Sequence, residues 1–209
     1  DLPLKNDVFI KFKNNVSTES NDDLHKQLLS RFNNANSNLD KAIKNFMDEV
    51  AVMKQLDFYP LVSNLMRVVF NRPAYAPAAG NNNMRYDVII PDEYLSVTVE
   101  GKSPTEEEVL SVKAIRQALE NKILLLARTP HPTTFEMSSF AIGFKLPNER
   151  SDVYKLIEEI YDTYKINIAI LDVESLIRAA FNSCIYQTYY ELSDFQGKKG
   201  VIRFENISK

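Results

Sequence analysis

The sequence predicts an α/β protein with a mixed central sheet flanked by helices, preceded by a helical N-terminal segment. Three observations predict it. Two β-rich runs, residues 85–90 and 95–99, lie only a few residues apart, as the arms of a hairpin do. Apolar strand-like runs at 140–146 and 166–171 then alternate with amphipathic helical stretches, the pattern of strands laid side by side through helical crossovers. Ahead of the hairpin, residues from about 21 to 70 show helical spacing only. Residues 1–58 therefore read as a helical N-terminal segment or linker, and 59–209 as the main domain.

Taken in order, residues 1–20 are weakly patterned, with Phe9, Ile10 and Phe12 as a possible short strand. Asn21 to Phe32 reads as a short helix and Asn33 to Asn38 as a polar break. Leu39 to Leu56 is a strongly amphipathic helix, because Leu39, Ile43, Phe46, Met47, Val50 and Met53 recur on one stripe. Pro60 suits the first turn of the next helix. Arg72 to Asn83, rich in Pro, Ala and Asn, is a loop before the hairpin. Thr105-Glu106-Glu107-Glu108 has the form of a capping box. The helix after it would turn Val109, Val112, Ile115, Leu119 and Ile123 inward, with Lys113, Gln117 and Glu120 opposite and Arg116 near the edge. Asp152 to Tyr164 is a further helix. Ile166 to Leu171 is a nearly continuous apolar run, as expected of a buried central strand. Asp172 caps a helix expected to run to about Leu192. Residues 201–204 form a last edge strand.

Composition removes much chemistry. The chain has 209 residues, 44% hydrophobic and 25% charged, enough for a real core. One cysteine, Cys184, excludes an internal disulfide and a cysteine-built zinc site. His25 and His131 lie far apart in sequence. The five glycines form neither a dinucleotide-binding nor a Walker A loop, and no G-x-S-x-G elbow is present. The longest apolar run, 123–127, is far too short to span a bilayer, which points to a cytoplasmic protein. The chain opens at Asp1, so it is read as part of a longer protein. Net charge is −3, and no basic arm supplies bulk attraction for nucleic acid. Carboxylate, lysine and oxygen-ligand metal chemistry remain.

One cluster has those parts: Asp87 near the start of the first hairpin strand and Glu100-Gly101-Lys102 at the end of the second. Two carboxylates converging at one end of the sheet make an oxygen site for Mg²⁺, and the Gly101 carbonyl can add a third ligand. Glu100 and Lys102 are two residues apart on a strand, so both point to one face. Lys102 can then hold, or help deprotonate, a water beside the ion. At a strand end its loss should leave the core packed. Glu120-Asn121-Lys122 also fits acidic-x-Lys, but it lies in a helix with no strand Asp before it. The bland alternative for Glu100 and Lys102 is a solvated charge pair. Packing or solvation is the simpler reading of Tyr186, Tyr189, Tyr190, Lys198, Lys199, Arg203 and Cys184.

Asp87, twelve residues, then Glu100-Gly101-Lys102 resembles the pattern of the PD-(D/E)xK nuclease superfamily. From about Leu61 to Leu192 the order of elements is similar to the cleavage domains of FokI-type (type IIS) restriction endonucleases. Residues 140–144 would be that family's apolar strand, and 168–176 its later strand and helix start. The resemblance implies a restriction-endonuclease-like fold and Mg²⁺-dependent cleavage of double-stranded DNA. Asp87 and Glu100 would be metal ligands, and Lys102 would position the attacking water. The family pattern has proline before the metal Asp, where this chain has Tyr86. Members often add an acidic residue from a leading helix, for which Glu49 is a candidate. Arg116 and Gln117 are candidates to look into the site. One active site cuts one strand, so double-strand cutting implies a homodimer or a partner subunit. Two rival readings stay open: another nuclease of the superfamily acting in transposition or repair, and a non-catalytic α/β interaction domain.

Overall fold

The computed structural model describes residues 21–77, 86–127 and 131–207. Phe9, Ile10 and Phe12 lie outside them, as does half of the loop before the hairpin. Among the described residues, six helices flank a five-stranded sheet in the order β1-β2-β3-β4-β5. Strand β1 (Val88–Ile90) is antiparallel to β2 (Val97–Lys102), and this is the expected hairpin. Strands β3 (Ser139–Gly143), β4 (Ile168–Asp172) and the two-residue β5 (Gly200–Val201) run parallel to β2. The sheet is therefore mixed and the predicted class holds.

Helices α1 (Asn21–Asn34), α2 (Leu39–Val50), α3 (Gln55–Phe70) and α6 (Val173–Tyr186) bury one continuous apolar core with one face of the sheet. Helices α4 (Val112–Leu126) and α5 (Asp152–Tyr164) pack a second core on the other face. The alternation of each strand sorts its side chains: Phe140, Ile142, Ala169 and Leu171 go to the first core, Ala141, Ile168 and Ile170 to the second. Among the described residues, no helix is long and apolar enough to cross a membrane.

Several boundaries differ from the sequence reading, each for a local reason. Helix α2 stops at Val50, since Ala51 and Val52 face solvent and the chain turns to bring Met53 back into the core. Helix α3 therefore starts at Gln55, and Pro60 is its sixth residue rather than a first-turn residue. Pro60 offers no N–H to the Leu56 carbonyl, a loss placed in the exposed first turn. The 58/59 division of the chain falls inside this helix. Helix α6 ends at Tyr186, because Gln187 takes the left-handed conformation at φ 53°, and a 3₁₀ turn at Leu192–Phe195 replaces the last turns expected.

The largest correction concerns Thr105 and Glu106, which do not open a helix. Thr105 Oγ1 donates to the Met53 carbonyl, and Glu106 Oε2 accepts from the Ser103 N–H and hydroxyl at 3.1 and 2.8 Å. Residues 108–110 extend the sheet instead, exchanging backbone bonds with Lys145. Helix α4 begins only at Val112, capped by Ser111. Its inward face is accordingly Ala114, Ile115, Ala118, Asn121, Lys122 and Leu125, while Val109 and Ile123 are exposed.

Candidate active site

Strand β2 reads Val97-Thr98-Val99-Glu100-Gly101-Lys102 and is buried along its whole length. Odd positions face α3 and even positions face α4. Glu100 and Lys102 are thus inside, 3% and 5% exposed, and not at a solvated strand end. Lys102 Nζ lies 2.7 Å from Glu100 Oε1, and Asn121 Nδ2 of α4 donates to Glu100 Oε2 at 2.8 Å. Both carboxylate oxygens are held.

Asp87 stands one residue ahead of β1. Val88 pairs with Val99, so Asp87 falls beside Glu100 as the ladder ends. Its Oδ2 accepts the Gly101 N–H at 2.8 Å, taking the place of a further β1 residue. The N–H and C=O of a strand residue point to the same side. The Gly101 carbonyl therefore opens on the edge where Asp87 stands. Gly101 suits a close approach: a Cβ there would meet the Tyr59 ring at 3.0 Å, so the ring would have to give way. Tyr59 of α3 covers this edge, with its hydroxyl accepting from Gln55 Nε2 at 2.6 Å and 3.4 Å from Glu106 Oε1.

The charges are strongly coupled. Burial, then the Glu100 charge, push Asp87 up to about 8 against the pull of the Gly101 N–H. Burial also raises Glu100 above the usual carboxylate range, although Lys102 and Asn121 oppose it. Burial works to lower Lys102, but Glu100, Asp87 and Glu106 outweigh it and hold the ammonium above its ordinary value. The site is short of positive charge: a buried carboxylate, Glu100, and a half-buried one, Asp87, share one lysine.

Asp87, Glu100, Gly101 and Lys102 therefore come together, as their spacing predicts. Glu49 does not join them; it is held by Arg31 through two 2.9 Å hydrogen bonds. Arg116 is exposed on α4. Gln117 is half-buried one turn before Asn121, and its Oε1 has no partner among the described residues. Sequence reading missed Tyr59, Glu106 and Asn121. Glu106 reads as a helix cap, and Asn121 sits in the acidic-x-Lys match set aside above. Among the described residues, no three His, Cys, Asp or Glu side chains form a ready-made metal cage. The groups able to hold a cation are the Asp87 and Glu100 carboxylates and the Gly101 carbonyl, an all-oxygen set of the kind Mg²⁺ takes.

The other residues keep their bland roles. Tyr190 is buried and donates to the Phe204 carbonyl, and Tyr189 stacks on His25 at 5.8 Å, while Tyr186 is exposed. Lys199 pairs with Glu158, and Arg203 lies 3.8 Å from Asp172. Cys184 is buried, which pushes its thiol up to about 12.

No protein-family model and no curated protein matches the sequence. Among solved structures, the restriction endonuclease FokI is similar, with a TM-score of 0.56 at 14% identity over 85% of this chain. The match covers 34% of that chain, so the present chain spans about a third of its length. A likeness at this identity is one of fold: the chain has a restriction-endonuclease-like α/β fold.

Proposed function

We propose that this chain is the cleavage part of a DNA endonuclease of the restriction type, hydrolysing phosphodiester bonds with Mg²⁺. The observation that carries the reading is the meeting of Asp87, Glu100 and Lys102 at the ending ladder between β1 and β2, on a restriction-endonuclease-like fold. The donor set fits the ion. Two carboxylates that cannot both ionise freely form a site that a divalent cation stabilises. Asp87, Glu100 and the Gly101 carbonyl would hold Mg²⁺, which when bound polarises a phosphodiester and acidifies a water.

The chain's own residues supply the rest. Lys102 stays charged at neutral pH, since its carboxylate neighbours raise its pKa. It therefore serves as a fixed cation that holds a water or a phosphate oxygen, and does not take up a proton. Glu106 and the Tyr59 hydroxyl border the same edge and add polar groups where a substrate would lie. A chain of net charge −3 relies on another part, or a second copy, for affinity to double-stranded DNA. The nuclease domain would include α1, α2 and the whole of α3, since these helices share one core with the sheet and the division after residue 58 cuts α3, and the protein would be cytoplasmic.

Supercoiled plasmid incubated with the 209-residue chain and millimolar Mg²⁺ should be nicked, and omission of the metal should stop it. Absence of both nicking and metal binding would move the non-catalytic interaction domain ahead.

A further inference from the structure

The Glu100 carboxylate is gripped from two elements. Lys102, from its own strand, takes Oε1, and Asn121, from the middle of α4, takes Oε2 at 2.8 Å. Asn121 is 3% exposed on a helix face made otherwise largely of Ala114, Ile115, Ala118 and Leu125. An amide buried on such a face is costly unless it is hydrogen-bonded. Packing alone does not account for it, whereas the carboxylate opposite does. The helix that carries it is fixed: Ser139 Oγ of β3 donates to the Ala118 carbonyl at 3.2 Å, one turn from Asn121.

We propose that Asn121 is a positioning residue of the metal site, setting the orientation of the Glu100 carboxylate. This rests on the nuclease reading above. A carboxylate has about four lone-pair sites, of which Lys102 and Asn121 use two. Held from opposite sides, the group keeps lone pairs available to an ion. Without the amide, the carboxylate is free to turn its second oxygen toward Lys102 as well and spend those lone pairs. Hydrogen-bond partners of ligating carboxylates typically change metal affinity by about 10- to 100-fold.

Mn²⁺ binding to the 209-residue chain, followed by calorimetry without DNA, tests the idea. Asn121→Leu should weaken Mn²⁺ binding by about 10-fold or more. In a Glu100→Gln background, the same substitution should change nothing further. If Asn121→Leu does not fold, Asn121→Ser, which removes the amide and leaves room for water, carries the same expectation. A parent that binds Mn²⁺ and a folded variant that binds it equally well overturn this inference alone. A lower melting temperature with unchanged affinity does the same, since it marks a purely structural role. A parent that binds no Mn²⁺ overturns the nuclease reading and this inference together.

Discussion

The two faces of the sheet are built for different ends. Toward α3 and α6, every strand from β1 to β4 contributes apolar side chains, from Val88 and Ile90 to Ala169 and Leu171. Toward α4 and α5, the face divides. Its β3 and β4 part is apolar, with Ala141, Ile168 and Ile170. Its β2 part is polar and equally buried, with Thr98, Glu100 and Lys102 set against Asn121 and Ser139. The strand shared by both is β2, whose period of two sends valines one way and charges the other. Apolar burial stabilises roughly in proportion to area. A buried ion pair gains little or nothing over apolar residues of its size, because desolvation offsets attraction. Stability thus comes from the whole of one face and from the β3 and β4 part of the other, and the candidate chemistry lies in the remaining, polar quarter of the sheet's two sides, on β2.

Breaking the apolar face should have the largest effect. Phe195 is fully buried, and its ring meets Phe70, Phe140, Tyr190 and Phe204 at 5.3 to 6.4 Å. Phe195→Ala should cost about 3–5 kcal/mol. For a chain of this size that lowers the melting temperature by roughly 10 °C. A drop of a degree or two, read by calorimetry, would contradict the division drawn above.

Next comes the polar quarter. Lys102→Met keeps the aliphatic stem and removes the charge, and should lower plasmid cleavage by about 10²–10³-fold. The expectation that losing Lys102 costs no stability needs correction, because the lysine is buried beside Glu100. The variant should remain folded but melt earlier, and the loss should shrink as pH falls, because burial raises Glu100 and eases its protonation. Cleavage at the parent rate would remove Lys102 from the mechanism.

The order of elements was legible because hydrophobic period is a local property. Helix α5, whose apolar stripe and Ser151 cap lie in one short stretch, falls where its periodicity puts it. Thr105-Glu106 misleads because its cap-like side chains close a turn on Ser103 and Met53, and Met53 is distant in sequence. The grouping of Asp87 with Glu100 and Lys102 was legible because a hairpin fixes its own register. Their burial was not, since it depends on α4 crossing β2. Asn121 and Tyr59 were hidden for the same reason: their roles exist only once α4 and α3 arrive on opposite faces.

Making the polar quarter apolar separates its chemistry from its contribution to stability. Glu100→Leu with Lys102→Met removes the ion pair, and Asn121→Leu must accompany them so that no amide is left without its acceptor. The triple variant should be more stable than the parent by about 1–4 kcal/mol and wholly inactive. Urea melts of the two proteins give the answer. A less stable triple variant would mean that the pair contributes to holding β2 against α4.

A change of pH isolates one carboxylate. Asp87 titrates at about 8 in the folded chain, against an ordinary value of 3.8, because it is buried beside Glu100. Between those values the folded state binds the proton and the unfolded state does not. Stability contributed by the protonated group is therefore complete below about pH 4 and is lost as pH rises toward 8. Asp87→Asn keeps an oxygen to accept the Gly101 N–H and has no proton to lose. Its stability relative to the parent should rise steadily from pH 5 to pH 8, as the parent gives up the Asp87 proton and the variant has none to lose. Added Mg²⁺ should stabilise the parent at pH 8 and leave the variant unmoved, because the ion replaces the proton that Asp87 gives up. Equal differences at both pH values would show that Asp87 ionises normally and that the quarter is not short of positive charge.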